Sequence, residues 1–518
     1  MSIRFTDKLE EANVITHAGN FHADDIFSLV ILEKKLGKLI VFRSKEHTID
    51  NRRLKRNAIV FDIGHGEFDH HQRGGNGYHD IEDEDVSCKP IPYAAFGLLW
   101  KRFGREICDI YTAKDQTLTN KLWKDIEYNL VIGIDAIDNG IFPFTPGDYE
   151  IYSATGLPNL ISLLNPIEEN ETNYQKAMKE AIGLAKFIFY TKIRLSLQKY
   201  SSVLYSKQKE YYFIIKPEEI FTKVLAKLFS THKFENTNMC KMILNDSQLN
   251  DTQIPSRTTI PASSFGNLWN KSGMDYCYSL SHDARSAAYI WKYVRSQLVL
   301  GIDAMANGIK AVSKPQHMNY NLLSIYEFIQ DFNILISSSE EYHFFNNKAF
   351  EIAELLVNRL IKKALRRTKD RAYVESKIIE AATLEENRKF PKHILVLDRH
   401  AHWSDWLVRI PEGKEIWFVI SPSNRGGYEI HPVPNKYNKN GYRKGFPMKW
   451  HGLKDEELRR VSKVSTATFI HDKKGFIGGA EDLTGAIKLC ERSFGHNENI
   501  KISTYNSISK PTTCCCAR

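Results

Sequence analysis

Val14, Ile15 and Thr16 form a short apolar run that ends in polar residues, and beyond it Ile26, Phe27, Leu29, Val30 and Ile31 open a helical pattern. Two further β-rich runs follow, Leu39 to Phe42 and Ala58 to Phe61, the second leading directly into Asp62. Strands alternating with helices predict an α/β domain with a mostly parallel sheet flanked by helices. In such sheets ligands gather beyond the carboxyl ends of the strands, which is where His17 and Asp62 fall.

From about Ile91 to Tyr200 the apolar spacing becomes helical, and then the sequence repeats itself. IPYAAFGLLWKRFG from Ile91 recurs as IPASSFGNLWNKSG from Ile260, and LWKDIEYNLVIGIDAIDNGI from Leu122 recurs as IWKYVRSQLVLGIDAMANGI from Ile290. About half the positions of the second pair are identical, which indicates a divergent tandem duplication rather than a solenoid. Further on, HILVLDR at His393, EIWFVISP at Glu415, YEIHPVP at Tyr428 and ATFIHDKKGFIGG at Ala467 predict successive strands, closed by a helix from Asp482 to Phe494. The expected organisation is a metal-binding domain over 1–200, a linker with an inserted helical duplicated segment over 201–370, a C-terminal α+β accessory domain over 371–500, and a disordered tail over 501–518.

Composition narrows the class. A chain of 518 residues exceeds what one core serves, and 42% hydrophobic with 26% charged residues is ordinary for a globular protein. No apolar run is long enough for a membrane span. The eight cysteines show no paired spacing, so neither a zinc knuckle nor a disulfide framework is expected. A net charge of +9 favours an anionic partner. The few residues ahead of His17 hold no signal or transit peptide, which implies the nucleus or the cytoplasm.

The chemistry concentrates in the first domain. HAGNFHADD supplies His17, His22 and Asp24; Asp62 follows a strand; Asp69, His70 and His71 come directly after; Asp135 lies in GIDAIDNGI. Imidazole and carboxylate groups suit divalent first-row cations, and a carboxylate such as Asp62 can bridge two of them. A lone His or Asp on a loop is usually a solvated group or a helix cap. So many gathered at strand ends would carry a heavy burial cost without a cation to share.

THAGNFHADD, VFDIGHGEFDHHQR, GIDAIDNGI, WHGLKDEEL and FIHDKKGFIGG together resemble the melanocyte-proliferating-gene (Myg) family, and more broadly the DHH phosphoesterases. The resemblance implies a two-metal 3′-to-5′ RNA exonuclease acting on single-stranded RNA or a short oligonucleotide, with two divalent cations, Mn²⁺ foremost and Mg²⁺ or Co²⁺ as alternatives. It also admits a mitochondrial location. It implies that His17 and His22 serve one metal, Asp24 and His70 the other, that Asp62 bridges and that Asp135 completes the second site. Asp69 would orient a histidine, and His71 would approach the phosphate. Asp25 and Asp138 stand beside this set as further contributors or as caps.

For the accessory domain the resemblance implies a glycine-rich substrate loop. Gly475, Gly478 and Gly479 fit a turn whose amides can approach a phosphate, with His471 just ahead of it, and Arg399 joins the basic and aromatic residues that follow. His402, Trp403, Trp406 and Arg425 mix basic and aromatic groups as a single-strand surface does, although the two tryptophans equally fit a core. The chain departs from the family in its second copy, which keeps Asp303 at the place of Asp135, has Ala306 at the place of Asp138, and lacks a second Asp-His-His. Two other functions remain in view: hydrolysis of a small phosphoanhydride or oligonucleotide, and a catalytically idle RNA-binding protein.

Overall fold

The protein is described from a computed structural model, which covers residues 3–45, 49, 51–72, 75–80, 90–141, 155–167, 170–200, 214–231, 260–307, 323–381, 390–407, 410–423, 426–435, 438–471 and 475–494. The expected tail over 501–518 and Arg425 lie outside the described residues. The chain divides into two compact units, residues 1–368 and 369–518.

The first unit opens with β1 (Ile3–Thr6), β2 (Val14–His17), α1 (Ala23–Leu36), β3 (Leu39–Ser44) and β4 (Ile59–Val60). The strands form one parallel sheet in the order β1-β3-β2-β4. Val14 and Ile15 on the inner β2 are fully buried, as the apolar run predicts. β1 escapes sequence reading, because IRFT is short and half polar and is a strand only through its pairing with β3. In α1 every residue from Ala23 to Leu32 is buried, Asp24 and Asp25 included.

Helices follow: α2 (Ala95–Tyr111), α3 (Gln116–Ile126), a π-helical turn at Glu127–Val131, α4 (Ile132–Asp138), α5 (Leu157–Leu163) and α6 (Glu171–Tyr200). A second series runs α7 (Pro217–Ser230), α8 (Ser264–Ser281), α9 (Ala284–Val294), another π turn at Arg295–Val299, α10 (Leu300–Ala306), α11 (Ile325–Leu335) and α12 (Ser339–Lys369). Trp100 in α2 and Trp269 in α8 are each completely buried.

The second unit holds α13 (Arg371–Ala381), β5 (Ile394–Val396), β6 (Phe418–Pro422), β7 (Tyr428–Pro432), a ribbon of β8 (Pro434–Asn435) and β9 (Asn438–Tyr442), α14 (Asp455–Ser462), β10 (Ala467–Ile470), β11 (Gly478–Ala480) and α15 (Leu483–Ser493). Its main sheet runs β10-β11-β7-β6-β5, antiparallel except for β5 with β6. Phe418, Ile420, Ile430, Trp450 and Leu489 contribute to its core. The fold is thus an α/β unit with a parallel sheet, a duplicated helical series and a C-terminal α+β unit. No helix among the described residues is long and apolar enough to cross a membrane.

Candidate metal centre

The ligand-bearing residues sit where the parallel sheet ends. β2 finishes on His17, and the chain crosses to His22, which stands just before the first turn of α1. β4 ends two residues before Asp62, whose backbone is left-handed at φ +57°. Asp is among the residues that tolerate that conformation, and here it aims the carboxylate among three histidines. Asp62 N donates to Phe68 O at 2.9 Å, which folds the Asp69-His70-His71 segment back beside it.

Asp62 is the hub. Its Oδ2 lies 3.2 Å from His17 Nε2, and its Oδ1 lies 3.0 Å from His70 Nε2 and 3.2 Å from His71 Nδ1. His70 Nε2 is also 3.3 Å from Asp138 Oδ2, and His22 Nδ1 is 3.7 Å from Asp138 Oδ1. Among the described residues, three sets have donor atoms close enough to share an ion: His17 with His22 and Asp25, Asp62 with His70 and His71, and His22 with Asp24 and Asp138.

The donor set fits divalent cations on two observations. Neither oxygen of the fully buried Asp24 accepts a hydrogen bond, and His70 Nε2 and Asp62 Oδ1 are buried within 3.0 Å of each other without the alignment of a hydrogen bond. Buried polar atoms are nearly always satisfied, so these are aimed at something else. The electrostatics agree. Burial, reinforced by the facing carboxylates of Asp138, Asp62 and Asp25, pushes the Asp24 carboxyl well above its ordinary range. Asp138 is raised by burial and by Asp62. Burial also opposes charge on Asp62, but the close imidazoles of His17, His70 and His71 hold it well below the usual carboxylate range. A chamber that lowers one carboxyl's pKa and raises those of its neighbours is short of positive charge, which cations would provide.

Supporting groups fix the ligands. Asp25 accepts from Thr16 Oγ1 at 3.3 Å and from the His22 amide at 2.9 Å, and its Oδ2 lies 3.1 Å from His17 Nε2, so one carboxylate ties both ends of the ligand loop. Asp69 accepts from the backbone of His71 at 2.9 Å and of His65 at 2.7 Å, while its Oδ1 faces His71 Nδ1 at 3.2 Å. Arg43, at the end of β3, donates to Gly19 O and to Glu171 of α6. Asn165 pairs with both the amide and the carbonyl of Phe21, at 2.9 and 2.8 Å.

Asp135 is not brought to this cluster. It is fully buried and accepts from Ala94 N at 2.9 Å, Gly97 N at 3.2 Å and His79 Nε2 at 2.9 Å. These contacts fasten the start of α2 to α4. In the second series Asp303 does the same, accepting from Ser263 N and Gly266 N, both at 3.1 Å. The motif therefore carries two aspartates of different kinds: Asp135 holds helices together, and Asp138, one turn on, faces the histidines. Sequence reasoning centred on Asp135; the copy's own pattern, which retains Asp303 and replaces Asp138 by Ala306, was the available signal for Asp138. His79 and its second partner Glu127, at 2.6 Å, were missed altogether, because a lone His outside the motifs has no distinguishing pattern.

The proposed substrate residues of the second unit are placed as follows. Gly475 has φ +55°, and a Cβ there would stand 2.5 Å from His451 Nε2, so its turn does require glycine. Gly478 and Gly479 are not turn residues as expected. They lie in β11, paired on both sides by β10 and β7, because Ile470, Phe446 and Phe469 pack where their Cβ atoms would be. Their backbone belongs to the sheet ladders. His471 N donates to Ile477 O at 3.0 Å and its ring packs against Phe476. Arg399 is ion-paired at 2.8 Å with buried Asp370 and lies over Tyr373. Trp406 is a core residue at 5% exposure.

Comparison with known proteins adds an independent line. The family model of MYG1 exonucleases, described as an uncharacterised protein family (UPF0160), matches residues 13–212 and 247–494. The chain is 26% identical over 246 residues to the MYG1 protein YER156C of Saccharomyces cerevisiae, covering 45% of this chain and 72% of the relative. It is 27% identical over 202 residues to the MYG1 protein C694.04c of Schizosaccharomyces pombe, covering 36% and 58%. To the MYG1 exonuclease of Homo sapiens it is 27% identical over 181 residues, covering 32% and 46%, so the alignment spans less than half of that relative. No solved structure matches.

Proposed function

The chain belongs to the MYG1 family, and on that premise we propose that it is a DHH-type, metal-dependent phosphodiester hydrolase that removes nucleotides from the 3′ end of single-stranded RNA. The observation that carries this reading is Asp62, whose two oxygens address histidines on opposite sides, His17 and the His70–His71 pair. His17, His22, Asp24, Asp62, His70 and Asp138 would hold two divalent cations, Mn²⁺ above all, with Asp62 shared. Bound there, the cations supply Lewis acidity that lowers the pKa of water and neutralises a phosphate.

The remaining residues act on their own account. His71 has more than half of its side chain exposed, with Nδ1 turned towards Asp62 and Asp69. Burial alone would lower its pKa, but the close carboxylates of Asp62 and Asp69 push it up to about 10. It therefore carries its proton at neutral pH and offers a cationic N–H to a phosphate oxygen or to the departing ribose oxygen. Asp69 keeps that ring in place, and Asp25 keeps His17 and the start of α1 in register. The net charge of +9 suits a polyanionic substrate.

The test is release of mononucleotides from 3′-labelled and 5′-labelled single-stranded RNA with Mn²⁺ or with chelator, for wild type and Asp62→Asn. Mn²⁺-dependent release that begins at the 3′ end and is lost in the variant is expected. Release unaffected by Asp62→Asn would remove the site from the mechanism, and cleavage of small phosphoanhydrides alone would move the substrate from RNA to a small molecule.

A further inference from the structure

The two helical series correspond in detail, beyond the stretch in which the sequence repeat is legible. The ring pair Phe27–Phe96, joining α1 to α2 with centroids 5.4 Å apart, recurs as Phe221–Phe265, joining α7 to α8 at 5.4 Å. Asn165, which pairs with the amide and carbonyl of Phe21, recurs as Asn333, which pairs with those of Ile215 at 2.7 and 2.9 Å. Asn139 donates to Pro92 O and Asp135 O; Asn307 donates to Pro261 O and Asp303 O. Even the ion pair Lys186–Glu33 between α6 and α1 reappears with its charges exchanged, as Lys227–Glu354 between α7 and α12. The duplicated unit thus begins at α7, the counterpart of α1, and ends with α12, the counterpart of α6.

The chemistry has not been copied. Where the first series has Asp24 and Asp25, the second has Glu218 and Glu219, and where it has Asp138 the second has Ala306. Glu218 accepts from Tyr326 Oη at 2.9 Å, and Glu219 is ion-paired with Lys216 at 3.1 Å. Among the described residues the second series has no strands and no cluster of metal-binding groups.

Its packing on the first series is self-complementary. Gly156 and its own counterpart Ser324 form an antiparallel bridge, with Leu157 N donating to Leu323 O at 2.9 Å. α6 and α12, also counterparts, run antiparallel: Glu180 pairs with Arg359, and Arg194 further along pairs with Glu341 earlier in α12, at 2.7 Å. α6 meets α11 through Lys192–Asp331 at 2.7 Å and Phe187 against Phe328 and Phe332. Reciprocally α12 meets α5, the counterpart of α11, through Lys363 Nζ and Ser162 O at 3.0 Å. Equivalent residues meeting one another, flanked by reciprocal contacts, are the signature of an isologous two-fold interface.

We infer that residues 217–369 are a degenerate copy of the site-bearing helical layer that docks on the first copy as the second subunit of a homodimer would, so that the chain carries its own partner. The surface formed by α5 and α6 is an interaction surface, and its occupant is α11 and α12 of the same chain. This inference stands apart from the proposed reaction, since it concerns packing only.

A double variant, Arg194→Cys with Glu341→Cys, treated at micromolar protein with a short bis-maleimide and mapped by peptide mass spectrometry, tests it. Both positions are partly exposed, Cys108, Cys277 and Cys490 are buried, and Cys88, Cys240, Cys514, Cys515 and Cys516 are replaced by serine in the protein tested. A link between the two positions within one chain, leaving the product at a single chain's mass, is expected. A link between chains, or none although both thiols react with a monofunctional maleimide, would overturn the inference. If this pair fails to fold, judged by its thermal melt against wild type, Lys192→Cys with Asp331→Cys gives the same reading on the neighbouring contact.

Discussion

Asp135 and Asp138 are three residues apart and do opposite work. Asp135 has three donors and no second carboxylate of the cluster beside it, whereas Asp138 is half-buried and faces Asp24 and Asp62. Asp138→Asn is therefore expected to lower metal-dependent turnover by at least about 100-fold while leaving the melting temperature unchanged or higher, since one of several crowded charges is removed. Asp135→Asn should cost about 1–3 kcal/mol in denaturant unfolding while keeping residual activity. The reverse pattern would restore Asp135 to the metal site. His79 adds a pH dependence. Burial would lower its pKa, but Asp135 and Glu127 push it up to about 9, above its ordinary value. Its stabilisation is thus fully present below about pH 6.5 and lost as the pH rises through about 9, a change of roughly 3 kcal/mol. Urea melts across that range should show the decline, and His79→Gln should flatten it.

Among elements, the close approach of α2 to α4 depends on a missing side chain. A Cβ on Gly97 would stand 1.9 Å from Asp135 Oδ2, and one on Gly266 2.0 Å from Asp303 Oδ2. Gly97→Ala and Gly266→Ala are each expected to destabilise the protein by about 1–3 kcal/mol, while only the first is expected to disturb metal-dependent turnover, because α4 carries Asp138, a proposed ligand, and α10 has Ala306 in its place. Equal loss of activity in both would contradict a second series without chemistry. The two π turns follow the same logic. Such turns often mark functional sites, yet Arg295–Val299 retains one where the site residues are gone, so Glu127–Val131 belongs to the helical architecture. The strands β2 and β3 were legible because buried parallel strands are continuously apolar. Neither β1 nor the equivalence of α7 with α1 was legible, since one depends on a partner strand and the other on ring and ion pairs between helices distant in sequence.

For the molecule as a whole, a cation held by the buried carboxylates of the first unit would stabilise the folded state. Loading with Mn²⁺ at about 100 times its dissociation constant should stabilise the protein by about 2.7 kcal/mol, and chelation should lower the melting temperature correspondingly. A melting curve indifferent to chelator would argue that Asp24 and Asp138 are neutralised by protons instead. The sequence by itself determined the residue types of the candidate centre, the strands β2 to β4 with the helix between them, and the existence of a duplication, because local periodicity and short motifs are written in consecutive positions. Only the tertiary structure decided which aspartate faces the histidines, that Gly478 and Gly479 serve a sheet rather than a phosphate turn, and that the second copy occupies the first as a partner. Those outcomes depend on which atoms meet across long stretches of chain, and nothing in a run of neighbouring residues encodes the far side of a contact.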